Sequence, residues 1–145
     1  MWRGIIVLAG LFGAAGVAHA DSRLFCSADD AQARFTLESG FASGAGHRLN
    51  HFRGALIVKD PAQAAFAKRV FESQHLSNHW SLDGELLLEV FDGGGDDTGG
   101  ATLDLVVVAG QRGKPAANFS GTYSLTIEGG EKPYAAEGKV SCGTK

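Results

Sequence analysis

The 145-residue sequence has only two cysteines, no cluster of basic residues and no long apolar run after its first 20 residues. Two cysteines without a C-x-x-C spacing argue against a redox-active or metal-binding thiol pair. The absence of a basic cluster argues against nucleic acid as a partner. Because no later segment is apolar enough to span a bilayer as a helix, we predict no membrane span.

Local signatures of catalysis are also missing. The sequence contains no G-x-S-x-G elbow for a nucleophilic serine, and both Ser39 and Ser43 lie in a glycine-rich stretch. It contains no H-E-x-x-H zinc motif. Nothing in the acidic residues indicates a carboxylate pair for glycoside cleavage. The sequence therefore favours a binding protein over an enzyme, with a hydrolase as the less favoured alternative.

The first 20 residues have the layout of a secretory signal peptide. A basic start at Arg3 precedes an apolar run over residues 5–17 and a small-residue ending at residues 18–20. The apolar run is shorter than the roughly 20 residues that a transmembrane helix needs. We therefore predict cleavage before Asp21 and a single all-β domain over residues 21–145, located in the periplasm or secreted.

The predicted mature chain carries 12 basic residues against 16 acidic ones, a formal net charge of −4. Its cysteines, Cys26 and Cys142, stand near its two ends. In an exported chain two cysteines most simply form one disulfide. Closing so long a loop corresponds to about 4–5 kcal/mol of stabilisation in the chain-entropy treatment. We therefore predict a disulfide between Cys26 and Cys142.

The end of the chain has the clearest pattern of secondary structure. From Phe119 to Ile127 every second residue is apolar or glycine, and the alternation resumes from Tyr134 to Cys142 after a Gly-Gly turn. A period of two is typical of a strand with one buried face. The pattern predicts a β-hairpin over residues 118–142 whose inner face carries Cys142 into the core.

Shorter segments upstream also read as strands. The predicted strands span residues 31–38, 48–59, 66–73, 85–91 and 102–109. The predicted loops span residues 39–46, 74–83, 92–100 and 111–117. One helical turn is the alternative within residues 62–72, and Gly54 is expected at a bulge or a point of close packing. The predicted core consists of Phe35, Leu37, Leu56, Val58, Leu86, Leu88, Val90, Leu103, Leu105, Val107, Tyr123, Leu125, Ile127 and Val140.

The strands and the disulfide together indicate the architecture. Short turns make sequential strands antiparallel neighbours, and the disulfide would bring the ends of such a meander together. We predict an antiparallel up-and-down β-barrel of about eight strands, with a two-sheet β-sandwich as the alternative. In its export signal, size, all-β content and single disulfide, the chain resembles bacterial periplasmic β-barrel inhibitors, including lysozyme inhibitors of the C-type class. That resemblance covers the architecture and assigns no binding residue.

Four histidines form two H-x-x-x-H pairs, His47 with His51 and His75 with His79. Outside a cell, imidazole groups are ligands for zinc or copper. On a strand, a spacing of four leaves two side chains on one face but about 13 Å apart, so a site would have to combine histidines across strands. A transition-metal binding protein is therefore the alternative function, with zinc or copper as its cofactor.

A second candidate site combines aromatic and amide side chains. We predict a ligand-binding cluster of Asn50, Phe52, Asn78 and Trp80 at the mouth of the barrel, although Trp80 is alternatively a core residue. The main functional hypothesis is an exported barrel, without a required cofactor, that binds a protein or small-molecule partner, in a bacterial periplasm.

Two further segments bear on function. The loop over residues 92–100 holds three aspartates, and we interpret it as a solvated hairpin loop because calcium needs six to eight oxygen ligands. The strand over residues 102–109 is apolar on both faces at Val106, Val107 and Val108. That pattern predicts a strand that is central in the sheet or that covers a partner surface.

Overall fold

The structure is built from β-strands and short 3-10 helices. The computed structural model describes residues 23–41, 49–82, 85–110 and 118–144, so the predicted export signal and the predicted loop 111–117 lie outside the described residues. Within these ranges the strands are β1 Arg23–Asp29, β2 Ala33–Phe41, β3 Leu49–Val58, β4 Arg69–Glu72, β5 Leu76–Leu82, β6 Glu85–Asp92, β7 Thr102–Gly110, β8 Asn118–Glu128 and β9 Tyr134–Thr144. The 3-10 helices are Pro61–Phe66, Ser73–His75 and Asp96–Thr98.

The strands form one nearly closed, barrel-shaped sheet in the order β4-β3-β2-β1-β9-β8-β7-β6-β5. Every pairing is antiparallel. Strand direction therefore alternates from β1 outward, over three pairings to β4 and over five to β5. Both β4 and β5 run opposite to β1. They are two halves of one pass, the first paired with β3 and the second with β6. The predicted up-and-down barrel of about eight strands is confirmed, with one of eight passes interrupted at Ser73–His75.

A ladder and a disulfide join the first and last described strands. Cys26 and Cys142 stand directly opposite each other in the β1–β9 ladder, with their Cα atoms 4.0 Å apart. Both side chains are buried. The structure therefore contains the predicted disulfide, which links residues 116 positions apart at the point where the ends of the meander meet.

Alternate residues of each strand fill the interior, and all of the predicted core residues are buried. Phe66 and Phe71 join them from the interrupted side of the barrel. The ring of Tyr123 meets that of Phe35 edge to face, with centroids 5.1 Å apart. Gly138 makes room for this ring, because a Cβ atom there would lie 2.5 Å from Cε1 of Tyr123. Side chains therefore occupy the interior closely.

The sequence predicts the first clear strand at residues 31–38, but in the structure β1 precedes it and a turn separates β1 from β2. The carboxylate of Asp30 accepts hydrogen bonds from the backbone N–H of Gln32 at 2.8 Å and from the Tyr123 hydroxyl at 2.8 Å. Burial alone would raise the pKa of Asp30, but hydrogen bonds from Tyr123, Ala33 and Gln32 outweigh it and hold that pKa below its ordinary value. These bonds end β1 and start β2 as a separate strand.

The predicted loop starts at residue 39, but β2 continues to Phe41. This end of β2 pairs with a bulge in β3. The register shift in the β2–β3 ladder leaves His51 and Phe52 opposite Ser39 alone. His51 has a φ of 49°, in the left-handed region. Gly54 is the expected point of close packing and not the bulge, since a Cβ atom there would lie 2.7 Å from Cδ2 of Leu37.

Side chains bridge the interruption where β4 lacks a ladder to β6. Arg69 on β4 donates from Nε to Asp92 on β6 at 2.7 Å and from Nη1 to Asp97 at 2.6 Å. Asp92 is only 4% exposed, so its charge is largely withdrawn from water. Further along the pass, the Ser73 hydroxyl donates to the carbonyl oxygen of Phe52 at 3.4 Å. The barrel is thus held together here by side chains.

The interrupted pass also explains two differences in secondary structure. Residues 61–66 form a 3-10 helix, so the helical alternative holds for that part of the segment, and the following strand begins only at Arg69. Residues 74–83 were expected to be a loop, yet Leu76–Leu82 is β5. As an edge strand of the sheet, β5 has one ladder partner and carries exposed polar side chains, so it lacks the apolar alternation that identified the other strands.

Candidate functional site

The outer side of β5–β7 carries apolar side chains in addition to the core residues on the inner side. On β7, Val107 lies in the interior while Val106 and Val108 lie on the outer side. The register places Trp80 opposite Leu87, and Leu87 opposite Val108. An apolar row therefore crosses three neighbouring strands. We define the apolar face as Trp80, Leu87, Phe91, Val106 and Val108.

The apolar face is open to solvent. Trp80 and Val108 are each 38% exposed and Phe91 is 44% exposed. A groove of about 390 Å³ runs beside it over β7–β9, where short β8 side chains such as Thr122 and Ser124 form the floor. Large apolar side chains grouped on one surface mark an interaction site, whereas single exposed ones are ordinary. The geometry suits a partner that covers a wide surface.

The predicted ligand-binding cluster is divided between the core and the surface. Phe52 is 4% exposed and belongs to the core, and Asn50 lies on β3 beside the bulge. Asn78 and Trp80 lie on the outer side of β5, opposite Glu89 and Leu87. β3 and β5 do not pair in the sheet, so the register does not relate the first two residues to the other two, and their grouping stays a prediction. Trp80 alone contributes to the apolar face.

The interior of the barrel is occupied by the protein's own side chains. Its largest fully buried members include Phe35, Phe66, Phe71 and Tyr123. An eight-stranded barrel is only just wide enough for side chains to fill it. The described core is therefore filled by the protein's own side chains.

The histidines do not form a cluster in the described part of the chain. Nδ1 of His75 accepts a hydrogen bond from the backbone N–H of Glu72 at 2.9 Å, while His51 occupies the β3 bulge and His79 lies on β5. His47 lies outside the described residues. Within those ranges no group of three or more His, Cys, Asp or Glu side chains is placed to hold a metal ion. Metal binding through these histidines stays a prediction.

The aspartates of the β6–β7 loop belong to the bridge across the interruption. Besides Arg69, Asp92 accepts a hydrogen bond from the backbone N–H of Gly94 at 2.9 Å. The hydrogen bond from Arg69 lowers the pKa of Asp97 despite the opposing effect of desolvation. Two of the three carboxylates in this loop therefore neutralise an arginine and stabilise the fold.

On β1–β3 the outer carboxylates Glu38 and Asp29 each have two cationic partners. The four ion pairs are Arg23–Glu38, Arg53–Glu38 at 2.8 Å, Arg34–Asp29 at 2.9 Å and Lys59–Asp29 at 2.7 Å. The hydrogen bond from Arg53 is the main reason that the pKa of Glu38 is lowered. That from Lys59 does the same for Asp29. Both carboxylates are therefore paired within the molecule, and in that sense we call β1–β3 the balanced half of the barrel.

On β6–β8 the outer carboxylates are not balanced. Glu89, Asp104 and Glu128 have no ion pair within 4.0 Å among the described residues. Desolvation and, to a lesser extent, the charges of Glu89 and Glu128 raise the pKa of Asp104. Its Oδ1 atom is shielded from solvent, and no described group donates a hydrogen bond to it. Sequence reasoning missed Asp104, for which the only signal was a polar residue in a strand that is otherwise apolar on both faces.

No helix in the four described ranges is both long enough and apolar enough to cross a membrane. Comparisons of the chain with known protein families, curated proteins and solved structures found no significant match.

Proposed function

We propose that this protein is an exported β-barrel that binds a protein partner through the apolar face of β5–β7, in the periplasm or outside the cell. The observation that carries the proposal is the row of Trp80, Leu87 and Val108 on the outer side of three strands. Tryptophan and other aromatic residues are enriched where protein interfaces have their strongest contacts. Export is supported by the signal-peptide pattern of residues 1–20 and by the disulfide.

A protein partner fits this surface better than a small molecule does. Small-molecule sites are concave and bury most of the ligand, but the apolar face is a broad sheet surface and the interior is filled. The adjoining groove over β7–β9 continues the same surface. Together they offer an apolar centre with polar edges, as protein interfaces have.

Site-specific photo-cross-linking tests this proposal. The photoreactive residue p-benzoylphenylalanine replaces Val108 in one variant and Ile57 in a matched control, since the two are 38% and 39% exposed on opposite halves of the barrel. In cells that naturally produce the protein, we expect a discrete product of higher mass from position 108 and none from position 57. Trp80→Ala in the first variant should remove that product.

Three results would contradict the proposal. Equal products from both positions would indicate non-specific collision, and no product from position 108 would indicate that the face has no partner. A product of twice the mass of the chain would indicate that the face pairs with a second copy.

A further inference from the structure

Three acidic residues stand beside the exposed ring of Phe91 on the outer side of β6–β8. The register places Asp104 opposite Phe91 on β6 and opposite Thr126 on β8. Glu89 and Glu128 each lie two residues from those partners and thus diagonal to Asp104 on the same face. Diagonal neighbours in a sheet are about 7–8 Å apart. Glu89 and Glu128 lie in opposite directions from Asp104, so one long side chain can contact Asp104 together with only one of them.

The described basic residues that form ion pairs are all on the other side of the barrel or at the interruption. Arg23, Arg34, Arg53 and Lys59 pair with Glu38 and Asp29, and Arg69 pairs with Asp92 and Asp97. Three described lysines form no ion pair, namely Lys68, Lys132 and Lys139, and Lys139 lines the groove over β7–β9. None of them lies within 4.0 Å of the three acids on β6–β8. The acids therefore present a negative charge to any surface that covers the apolar face.

Asp104 is unfavourable for the isolated fold. One of its carboxylate oxygens is cut off from solvent without a hydrogen-bond donor, and desolvation and like charges both disfavour its ionised form. A residue that costs stability in the free protein is typical of a site that gains its partner on binding. A cation supplied from outside would offset the desolvation with an opposite charge and would counteract the repulsion from Glu89 and Glu128.

The chemistry of that cation follows from its neighbours. A guanidinium group is planar, bonds a carboxylate with two N–H groups and stacks on an aromatic ring. Phe91, which is 44% exposed, offers the ring directly opposite Asp104. A lysine ammonium group would satisfy the charge but not the stacking geometry.

We infer that the apolar face binds a partner protein that places an arginine side chain over Asp104, against the ring of Phe91, where the charges of Glu89 and Glu128 on either side also attract it. This inference rests on the proposed function and adds the chemistry of the partner. Apolar residues next to that arginine contact Val106, Val108 and Trp80. Complementary charge of this kind contributes mainly to specificity and to the rate of association.

Peptide probes test the inference without a known partner. Acetyl-Phe-Arg-Phe-amide is titrated into the isotopically labelled mature protein with its disulfide intact, and NMR follows the backbone amide shifts. The control is the same peptide with citrulline, a neutral isostere, in place of arginine. We expect both peptides to shift amides of residues 87–91 and 104–108, with binding of the arginine peptide tighter by about fivefold at low salt.

Three variants test which residues cause the preference for arginine over citrulline. Asp104→Asn should reduce the preference for arginine over citrulline to less than about twofold. Asp29→Asn, which removes a carboxylate from the balanced half, should leave the preference unchanged. Trp80→Ala should weaken both peptides together.

The outcomes separate this inference from the proposed function. Equal affinity for both peptides, or a preference that survives Asp104→Asn, would overturn arginine recognition while leaving the apolar face as a docking surface. Amide shifts confined to β1–β4, or no shift with either peptide, would overturn both. A preference lost in Asp104→Asn and kept in Asp29→Asn would support both.

Discussion

The outer surfaces of β1–β3 and β6–β8 are made of the same kind of strand but differ in how they handle charge. On β1–β3, Glu38 and Asp29 are each neutralised by two cations. On β6–β8, Glu89, Asp104 and Glu128 have no such partner among the described residues, and Asp104 is partly desolvated. The first surface has its carboxylates paired, although Val70 beside it on β4 is exposed, whereas the second has unpaired carboxylates beside exposed Phe91 and Val108. The difference supports the proposal that β5–β7, and not β1–β3, contacts a partner.

The largest effect is expected from removing the disulfide that joins the two halves. Cys26→Ala combined with Cys142→Ala should lower the free energy of unfolding by about 3–5 kcal/mol, since the bond constrains almost the whole described chain in the unfolded state. Urea denaturation monitored by tryptophan fluorescence measures this loss. A loss below about 1 kcal/mol would mean that the ladder between β1 and β9 holds the halves without the bond.

The next largest effect is expected at the bridge across the interruption. Arg69→Gln leaves Asp92 buried without its cation, and we expect a loss of about 2–3 kcal/mol, the lower end for a broken buried ion pair because the Arg69 side chain is 19% exposed. The control is Arg34→Gln, which breaks an exposed pair with Asp29 and should leave the urea midpoint unchanged. Equal midpoints for the two variants would show that the bridge is dispensable.

A smaller effect is expected from replacing His51, whose backbone lies in the β3 bulge of the balanced half. His51→Gly relieves a left-handed conformation, while His79→Gly only loosens an ordinary strand. The first variant should therefore be more stable than the second by about 1 kcal/mol, measured by urea denaturation. If His79→Gly were the more stable variant, the bulge would carry no strain.

The smallest effect is expected from neutralising an outer carboxylate. The resulting change in melting temperature should have opposite signs on β6–β8 and on β1–β3. The pKa of Asp104 is raised from 3.8 in the folded protein, so ionisation costs stability at neutral pH, and Asp104→Asn should raise the melting temperature at pH 7 by roughly 1–3 °C. The pKa of Asp29 is lowered from 3.8, so its ionised form stabilises the fold, and Asp29→Asn should lower the melting temperature at pH 7.

The pH dependence sharpens this test. For Asp104→Asn the gain should shrink as the pH falls through the raised pKa and disappear below 3.8, where the carboxyl is protonated in both states. For Asp29→Asn the loss should persist down to 3.8 and disappear only below the lowered pKa. Melting curves between pH 2.5 and 7 measure both. If both variants changed the melting temperature in the same direction, the two surfaces would not differ in how they stabilise their carboxylates.

Much of the fold was predictable because period-two alternation identifies the inner residues of a strand with one buried face. The alternation identified the core of β6–β9, including Tyr123 and Val140, and an exported cysteine pair indicated where the meander closes. It did not identify β5, whose outer Trp80 and Asn78 belong to an edge strand with mostly exposed side chains. Phe66 was assigned to a strand, but it enters the core from a 3-10 helix that has no period of two.

The candidate site was predictable only in part. Apolar residues on both faces of β7 indicated a covered surface, and that signal is local to Val106, Val107 and Val108. The position of Asp104 between Glu89 and Glu128 depends on the register of three strands that are separate in the sequence. The grouping of Asn50 with Trp80 stays a prediction, since β3 and β5 do not pair in the sheet and no register relates the two residues.

The interruption at Ser73–His75 and the disulfide at β1–β9 divide the barrel into two meanders, β1–β4 and β5–β9. Two covalent links join these halves: the peptide backbone at residues 73–75, and the disulfide in the ladder between β1 and β9. A protease that cut the chain at residues 73–75 would therefore release neither fragment. The two pieces would remain a covalently linked pair with all eight strand ladders intact, able to come together again by fragment complementation.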